Sequence, residues 1–387
     1  MRIIQNGTLE TTSGGVATCI YYMLRSLNDV GINAELFAYQ PEKSTKLVGT
    51  DVNVYYTRRP IHRRWNKLQY APQYKSNLLN LGKVDVYHVN GVWLYDSYAM
   101  VDVARKQKKP YVIMPHGMLY PQDINKSHKR MKKFFFKIRL LHDLNGAACV
   151  LTTCKEEMKH CRALGVKAPI AVIPNAIESR DYPPKKIDGE RFVLGYIGRI
   201  SRRKNIEALI YAWNRLRNVC NKSSFDNAEL MIIGGGDSEY LKFLQNEVER
   251  LSLNNVTFTG FLTGACKDAA LQKIDVLCMP SEFENFGMVV TEGLVRGIPC
   301  IATKGAPWED LEKYHCGWWI EYSQNAIDKA VETAFFTPKN ELIKMGRNGI
   351  ELIHNKYSLE VTAKQLKTMY QWICGEISKP DFIYTGD

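Results

Sequence analysis

Two glutamates eight positions apart, Glu284 and Glu292, stand in the run PSEFENFGMVVTEGL that extends from Pro280 to Leu294. The run leaves an apolar, strand-like segment, DVLCMPS, and passes into a helical pattern whose first turn holds Gly287, Met288 and Val289. A glycine at the mouth of a helix exposes free N–H groups at the positive end of the helix dipole, a setting suited to a diphosphate. With Glu284 in the loop and Glu292 on the helix, one acid can reach the group at one end of a bound nucleotide sugar and the other its ribose. Asn285 and Phe286 complete the strip that would line such a ligand. A second cluster, GYIGRISRRKNIEALI, places Arg199 after Gly198 and Lys204 five residues on, just before an amphipathic helix. Two cations there can neutralise a pyrophosphate that departs as a dianion, and an arginine can do so with two parallel hydrogen bonds. Arg202 and Arg203 read as solvent-facing or structural.

Weaker signals surround these. TTSGGVATCIYYMLRSL sets Gly14 and Gly15 at the mouth of a helix, where backbone can approach phosphate closely, although the wider G-x-G-x-x-G fingerprint is absent. IIGGG, ending at Gly236 and including Gly235, is a glycine turn after a strand and needs no ligand. Pro115-His116-Gly117 ends another strand, and a lone histidine at such a place is more often structural than catalytic. No two aspartates stand in D-x-D spacing, so the usual metal-and-diphosphate anchor is missing; Arg199, Lys204 and helix dipoles would have to replace a divalent ion, and no metal or other cofactor is expected.

The elements that must hold these residues alternate in βαβ rhythm. Strand-like runs begin at Val84, Tyr111, Cys149 and Ile170, with helical patterns such as Asp96 to Lys108 between them. A polar, proline-containing stretch, SRDYPPKKIDGER from Ser179 to Arg191, interrupts before the rhythm restarts with FVLGYIGR, ELMIIGGG, VTFTGF, DVLCMPS and PCIATKG. It reads as a linker. The chain of 387 residues is too long for one ordinary α/β domain. The expected organisation is one Rossmann-like α/β domain over 1–180, a second over 181–357 and a C-terminal helical segment over 358–387 that packs back on the first. Open α/β sheets bind ligands at the carboxyl ends of their strands, and the unusual residues cluster there.

At this point the chain resembles the large retaining glycosyltransferase family numbered four, of GT-B fold: two Rossmann-like α/β domains facing each other across a cleft. Glu284 and Glu292 match its E-x7-E signature, whose first acid contacts the transferred sugar and whose second contacts the ribose hydroxyls. The resemblance assigns Arg199 and Lys204 to the leaving diphosphate, backbone near Phe261 and Leu262 to the base, and His116 to the donor sugar. It continues at Asn175 in IPNAIE and at GAPWEDLEKYHCGWWI, so it covers nearly the whole chain, more specifically in the second half. Gly293 departs from it, standing where alanine is usual, and Ala306-Pro307-Trp308 replaces a glycine-rich turn. PHGML and the Pro-Trp turn resemble a subgroup that builds bacterial surface polysaccharides such as capsule, O-antigen or exopolysaccharide. The implied reaction is metal-independent transfer of a hexose, with retention, from a UDP-, GDP- or ADP-sugar to a glycan acceptor.

Charge is unevenly spread. Residues 1–185 carry 28 Lys and Arg against 14 Asp and Glu, whereas residues 186–387 carry 24 against 26. The excess points the first half at something anionic. KSHKRMKKFFFKIR, from Lys126 to Arg139, holds seven cations and no acid. On a helix, Lys129, Arg130, Lys132, Lys133, Phe134 and Phe135 would face an anionic membrane, and a polyprenyl-pyrophosphate-linked sugar becomes the natural acceptor. RRPIHRRWNK, from Arg58, would add positive surface. The scattered cysteines and the lack of an apolar run near the ~18 residues of a span fit a cytoplasmic protein peripheral on the inner face of the membrane. An epimerase of the same fold would need no lipid surface, and a phosphorylase would need a longer chain. A basic nucleic-acid-binding protein would leave the acids at the strand ends unexplained, so no nucleic-acid partner is expected.

Overall fold

The computed structural model describes residues 1–60, 68–126, 129–180, 182–183 and 191–386. Most of the basic stretch that follows Arg58 and much of the 179–191 linker lie outside the described residues, as do Ser127 and His128. The chain forms two compact units, residues 1–178 with 358–387 and residues 179–357.

The strands are β1 (Arg2–Gly7), β2 (Asn33–Tyr39), β3 (Val54–Thr57), β4 (Val86–Asn90), β5 (Tyr111–Met114), β6 (Cys149–Thr152), β7 (Ile170–Val172), β8 (Val193–Ile197), β9 (Glu229–Ile233), β10 (Val256–Gly260), β11 (Val276–Met279), β12 (Cys300–Thr303), β13 (Gly317–Ile320) and β14 (Ile383–Tyr384). The first unit's eight-stranded sheet has the order β14-β7-β6-β5-β4-β1-β2-β3, and the second unit's six-stranded sheet the order β10-β9-β8-β11-β12-β13. Every pairing is parallel except β14 on β7. Parallel sheets need helices on both faces. Accordingly β4, β5, β6, β8, β9, β11 and β12 are buried along their whole length.

In each sheet the strand order reverses once, between β1 and β4 in the first and between β8 and β11 in the second. At such a point successive connections leave on opposite faces, and a crevice opens beyond the strand ends. The second unit's core gathers Leu194, Leu209, Trp213, Leu230, Ile232, Val276 and Ile301 between its sheet and helices.

The last segment belongs to the first unit. The helix Leu359–Ile373 buries Leu366, Met369 and Tyr370 beside Ile3, Leu24 and Leu151. The Tyr370 hydroxyl meets His88 Nδ1 at 2.5 Å, and β14 closes the sheet edge at β7. Burial depresses His88 to about 3, with a smaller contribution from His116, so the imidazole is neutral.

Candidate active site

The loops after β8 and β11 meet at the second sheet's reversal point. After β8 the chain turns through Gly198, exposes Arg199 and makes a short 3-10 turn, Arg202–Lys204. Asn205 then adopts a left-handed conformation, φ 52°, and starts the helix Ile206–Val219. After β11 the loop passes Glu284 and reaches the helix Met288–Leu294 through Gly287, also left-handed at φ 85°. The Glu282 N–H donates to the Arg203 carbonyl at 3.0 Å, clamping one loop to the other. Across that clamp Lys204 Nζ forms an ion pair with Glu284 Oε1, both side chains largely buried. The Glu284 N–H is anchored on the Gly305 carbonyl at 2.8 Å. Arg199 makes no ion pair among the described residues, and the Tyr196 hydroxyl holds its carbonyl at 3.0 Å. Burial and the nearby Glu284 carboxylate push that hydroxyl well above the usual phenol range. The site thus has one committed cation, one open cation and one carboxylate at the end of adjacent strands.

Glu292, on the helix, pairs with Lys267 of the neighbouring helix Gly264–Lys273 at 2.8 Å. Lys267 gave no sequence signal, because a single lysine after the VTFTGFL loop looks like surface. Phe261 is 73% exposed, and Leu262 is half-buried beside it. Asn285, Met288, Val289 and Gly287 are half-buried.

Three of the expected residues are placed differently: Phe286 here, and Lys132 and Phe135 in the first unit. Phe286 does not line the site with its ring, which is buried between Trp308 and Tyr357. Its carbonyl accepts a hydrogen bond from Trp308 Nε1 at 2.6 Å, so a motif residue has become a loop anchor. The Pro-Trp turn that departs from the family pattern therefore supports the glutamate loop from below. The helix at Gly287 has seven residues. Its unpaired first-turn N–H groups remain, but so short a helix carries a smaller dipole, and Arg199 and Lys204 gain weight.

Packing explains most of the glycine turn. A Cβ on Gly234 would lie 1.9 Å from the Gly198 carbonyl oxygen, and one on Gly236 2.3 Å from that of Ile200. Gly235 alone of the three faces a side chain at ordinary contact distance, 3.5 Å from Phe261 Cβ. Gly293 is likewise forced, since a Cβ there would lie 2.8 Å from Cys300 Sγ and 2.9 Å from Leu277 Cδ2.

The remaining candidates lie in the first unit. Gly14 caps the helix Gly15–Asp29 with φ 60°, and a Cβ on Gly15 would meet open space. His116, after β5, has φ 53°, an uncommon conformation for a non-glycine residue that points to a constraint. Its Nε2 lies 2.8 Å from Asn90 Oδ1. Burial holds the imidazole down at about 4, so it is neutral, carries its proton on Nε2 and presents Nδ1 as an acceptor.

The basic helix is Lys129–Phe135, followed by a π-helical turn, Phe136–Leu140. Met131, Phe134 and Ile138 are 49, 65 and 58% exposed. Their spacing places them along one side, flanked by exposed Lys129, Arg130, Lys133 and Lys137. Phe135 and Lys132 turn inward instead: Phe135 packs edge-on to Tyr98, and Lys132 Nζ donates to the Asp123 carbonyl at 2.8 Å and lies over the Trp93 ring. Arg139 pairs with Asp102 and Asp143. Among the described residues no helix is long and apolar enough to cross a membrane.

The second half matches the family described as glycosyl transferases group 1 over residues 179–351, and the first half matches glycosyltransferase family 4 over residues 13–180. The chain belongs to the family 4 glycosyltransferases, of GT-B fold. Among relatives, it is 25% identical over 313 residues to a 41.2 kDa protein of the Klebsiella pneumoniae cps region, covering 77% of this chain and 80% of that one. It is 26% identical to the human α-1,3/1,6-mannosyltransferase ALG2 over 53% of this chain. There the chain spans about half of the relative, 50%. The fold is shared with Anabaena HepE, solved with UDP and glucose: TM-score 0.73, 16% identity, 96% of this chain and 100% of that one covered.

Proposed function

We propose that this glycosyltransferase binds a nucleotide sugar in the second unit and transfers its hexose with retention, without a metal ion, to a lipid-linked glycan in surface-polysaccharide synthesis. The observation that carries the reading is the junction of Lys204, Glu284 and the open Arg199 at the second sheet's reversal point. In this reading Glu292 takes the ribose hydroxyls, held in place by Lys267. Arg199 and Lys204 meet the diphosphate, and their attraction grows as charge develops on the leaving oxygen. Glu284, released from full pairing with Lys204, orients the sugar. The leaving oxygen takes the acceptor's hydroxyl proton as the new bond forms on the same face. The cps-region relative and the UDP and glucose of HepE support the polysaccharide context and the donor class.

Membrane association at the cytoplasmic face is part of the proposal. Its support is the exposed Met131, Phe134 and Ile138 side with its four flanking cations. Mass spectrometry of ligand retained after incubation with mixed UDP-, GDP- and ADP-sugars tests the donor. Retention of none defeats it, and loss of transfer in EDTA that magnesium or manganese restores defeats metal independence. Sedimentation with anionic liposomes that is unchanged in a Lys129, Arg130, Lys133 and Lys137 to Gln variant, or absent in the parent, defeats the membrane surface.

A further inference from the structure

Glu292 stands in the last turn of the seven-residue helix Met288–Leu294. So short a helix is marginal by itself, and the carbonyls of its last four residues have no partner within it. An acid that meets ribose hydroxyls from such a place needs its backbone held from outside. Arg296, two residues past the helix, supplies the hold. Its own N–H turns back to the Gly293 carbonyl at 3.0 Å, and its guanidinium Nη1 donates to the Glu292 carbonyl at 2.8 Å. A cation at this end also meets the negative pole of the helix dipole.

The second amino group, Nη2, forms an ion pair with Asp268 on the helix Gly264–Lys273. Asp268 follows Lys267, whose Nζ holds the Glu292 carboxylate at 2.8 Å. The contacts close a ring. Glu292 is gripped at its carboxylate by Lys267 and at its carbonyl by Arg296, and Asp268 ties Arg296 to the helix that carries Lys267. Both Nη groups are committed in this way, so Arg296 acts through Glu292 and not on a ligand.

The linker covers the ring. Arg296 Cζ lies 4.1 Å from the Tyr182 ring centroid, and Gln272, one turn beyond Asp268, reaches the Pro183 carbonyl at 3.5 Å. Arg296 is left only 7% exposed. A charge buried to that degree is costly unless its partners are well placed. The planar guanidinium serves a carbonyl, a carboxylate and a ring face together, which the single ammonium of a lysine could not do.

We propose that Arg296 is a positioning residue for donor recognition: by joining the Glu292 carbonyl to Asp268 beneath Tyr182, it sets the Glu292 carboxylate for the ribose hydroxyls without touching them. The proposal rests on the assignment of Glu292 to the ribose made above. The test is calorimetric titration of the full chain with UDP, GDP and ADP and with the 2′,3′-dideoxy form of each. The parent binds its preferred ribonucleotide about tenfold or more tightly than the dideoxy form, the scale of a lost hydrogen bond to a charged group, and Glu292→Ala removes that preference. Arg296→Met keeps an unbranched apolar stem and lacks the guanidinium. It lowers the preference to about threefold or less, while affinity for the dideoxy form changes by less than about twofold. A merely structural role would weaken both nucleotides alike, and that result overturns the proposal. Asp268→Asn, at a half-buried position, lowers the preference in the same direction and decides the matter if Arg296→Met does not fold; an unchanged preference there overturns the proposal. A parent that binds none of the nucleotides defeats the donor reading, and a preference that is absent or survives Glu292→Ala defeats the ribose assignment, each taking the proposal with it. A preference that Glu292→Ala abolishes and Arg296→Met spares defeats the positioning role alone.

Discussion

The two sheets reverse their strand order in the same way and load the resulting crevices with opposite chemistry. In the second unit the loops after β8 and β11 bring lysine, arginine and glutamate together, with Arg199 left open. In the first, the ends of β1 and β4 bring amides, a buried carboxylate and a neutral histidine. One crevice leaves a cation open, and the other is lined by amides and by charges that are already paired.

The largest expected effect breaks the charged side. Arg199→Ala should lower kcat by about 10²- to 10³-fold, the scale seen when one donor to a developing charge is removed, with a smaller change in donor KM. A change confined to KM in steady-state kinetics would reassign Arg199 to simple anchoring.

Acid should break the neutral side. His88 and His116 titrate near 3 and 4 in the folded first unit against 6.5 when free, so the unfolded chain binds more protons between pH 6.5 and about 4. Stability therefore falls as pH drops through that window, by on the order of 3 kcal/mol for each histidine, and is fully present above pH 6.5. Limited proteolysis at pH 5 with peptide mapping should cut within residues 1–178 before 191–357. The reverse order would refute this difference between the units.

A smaller effect sharpens the donor side. Glu292→Ala should weaken donor binding by about 1.5–3 kcal/mol, the size of a lost charged hydrogen bond. Unchanged affinity in calorimetry would remove Glu292 from the ribose. Lys267→Met should cost less, about 1 kcal/mol, because the Lys267–Glu292 pair is partly exposed and acts through Glu292. A loss equal to that of Glu292→Ala would place Lys267 directly on the ligand.

What could be read in the chain followed periodicity and spacing. The runs YVIMPHG, CVLTTC, FVLGYIGR and DVLCMPS are β5, β6, β8 and β11, because fully buried parallel strands are continuous apolar blocks. Glu284 and Lys204, 80 residues apart, were linked by motif and do meet. Contacts that depend on distant partners were not legible. Phe286 looked like a ligand contact until Trp308 and Tyr357 enclosed it, and Phe135 looked like an anchor until Tyr98 claimed it. The two-residue β14 carries no local signal at all. Nor is the burial of Asp96 legible, since it depends on Asn6 and on an amide network closed across β1 and β4.

The return of residues 358–387 to the first unit reverses the order in which the halves can mature on a ribosome. The segment 179–357 is contiguous and can complete its core as it emerges. The first unit, begun earlier, must wait with the β7 edge bare and His88 without Tyr370 until the last helix and β14 arrive. An exposed strand edge held open for so long invites pairing with another nascent chain. Translation that stalls after residue 357 would therefore leave a finished second unit attached to an aggregation-prone first one.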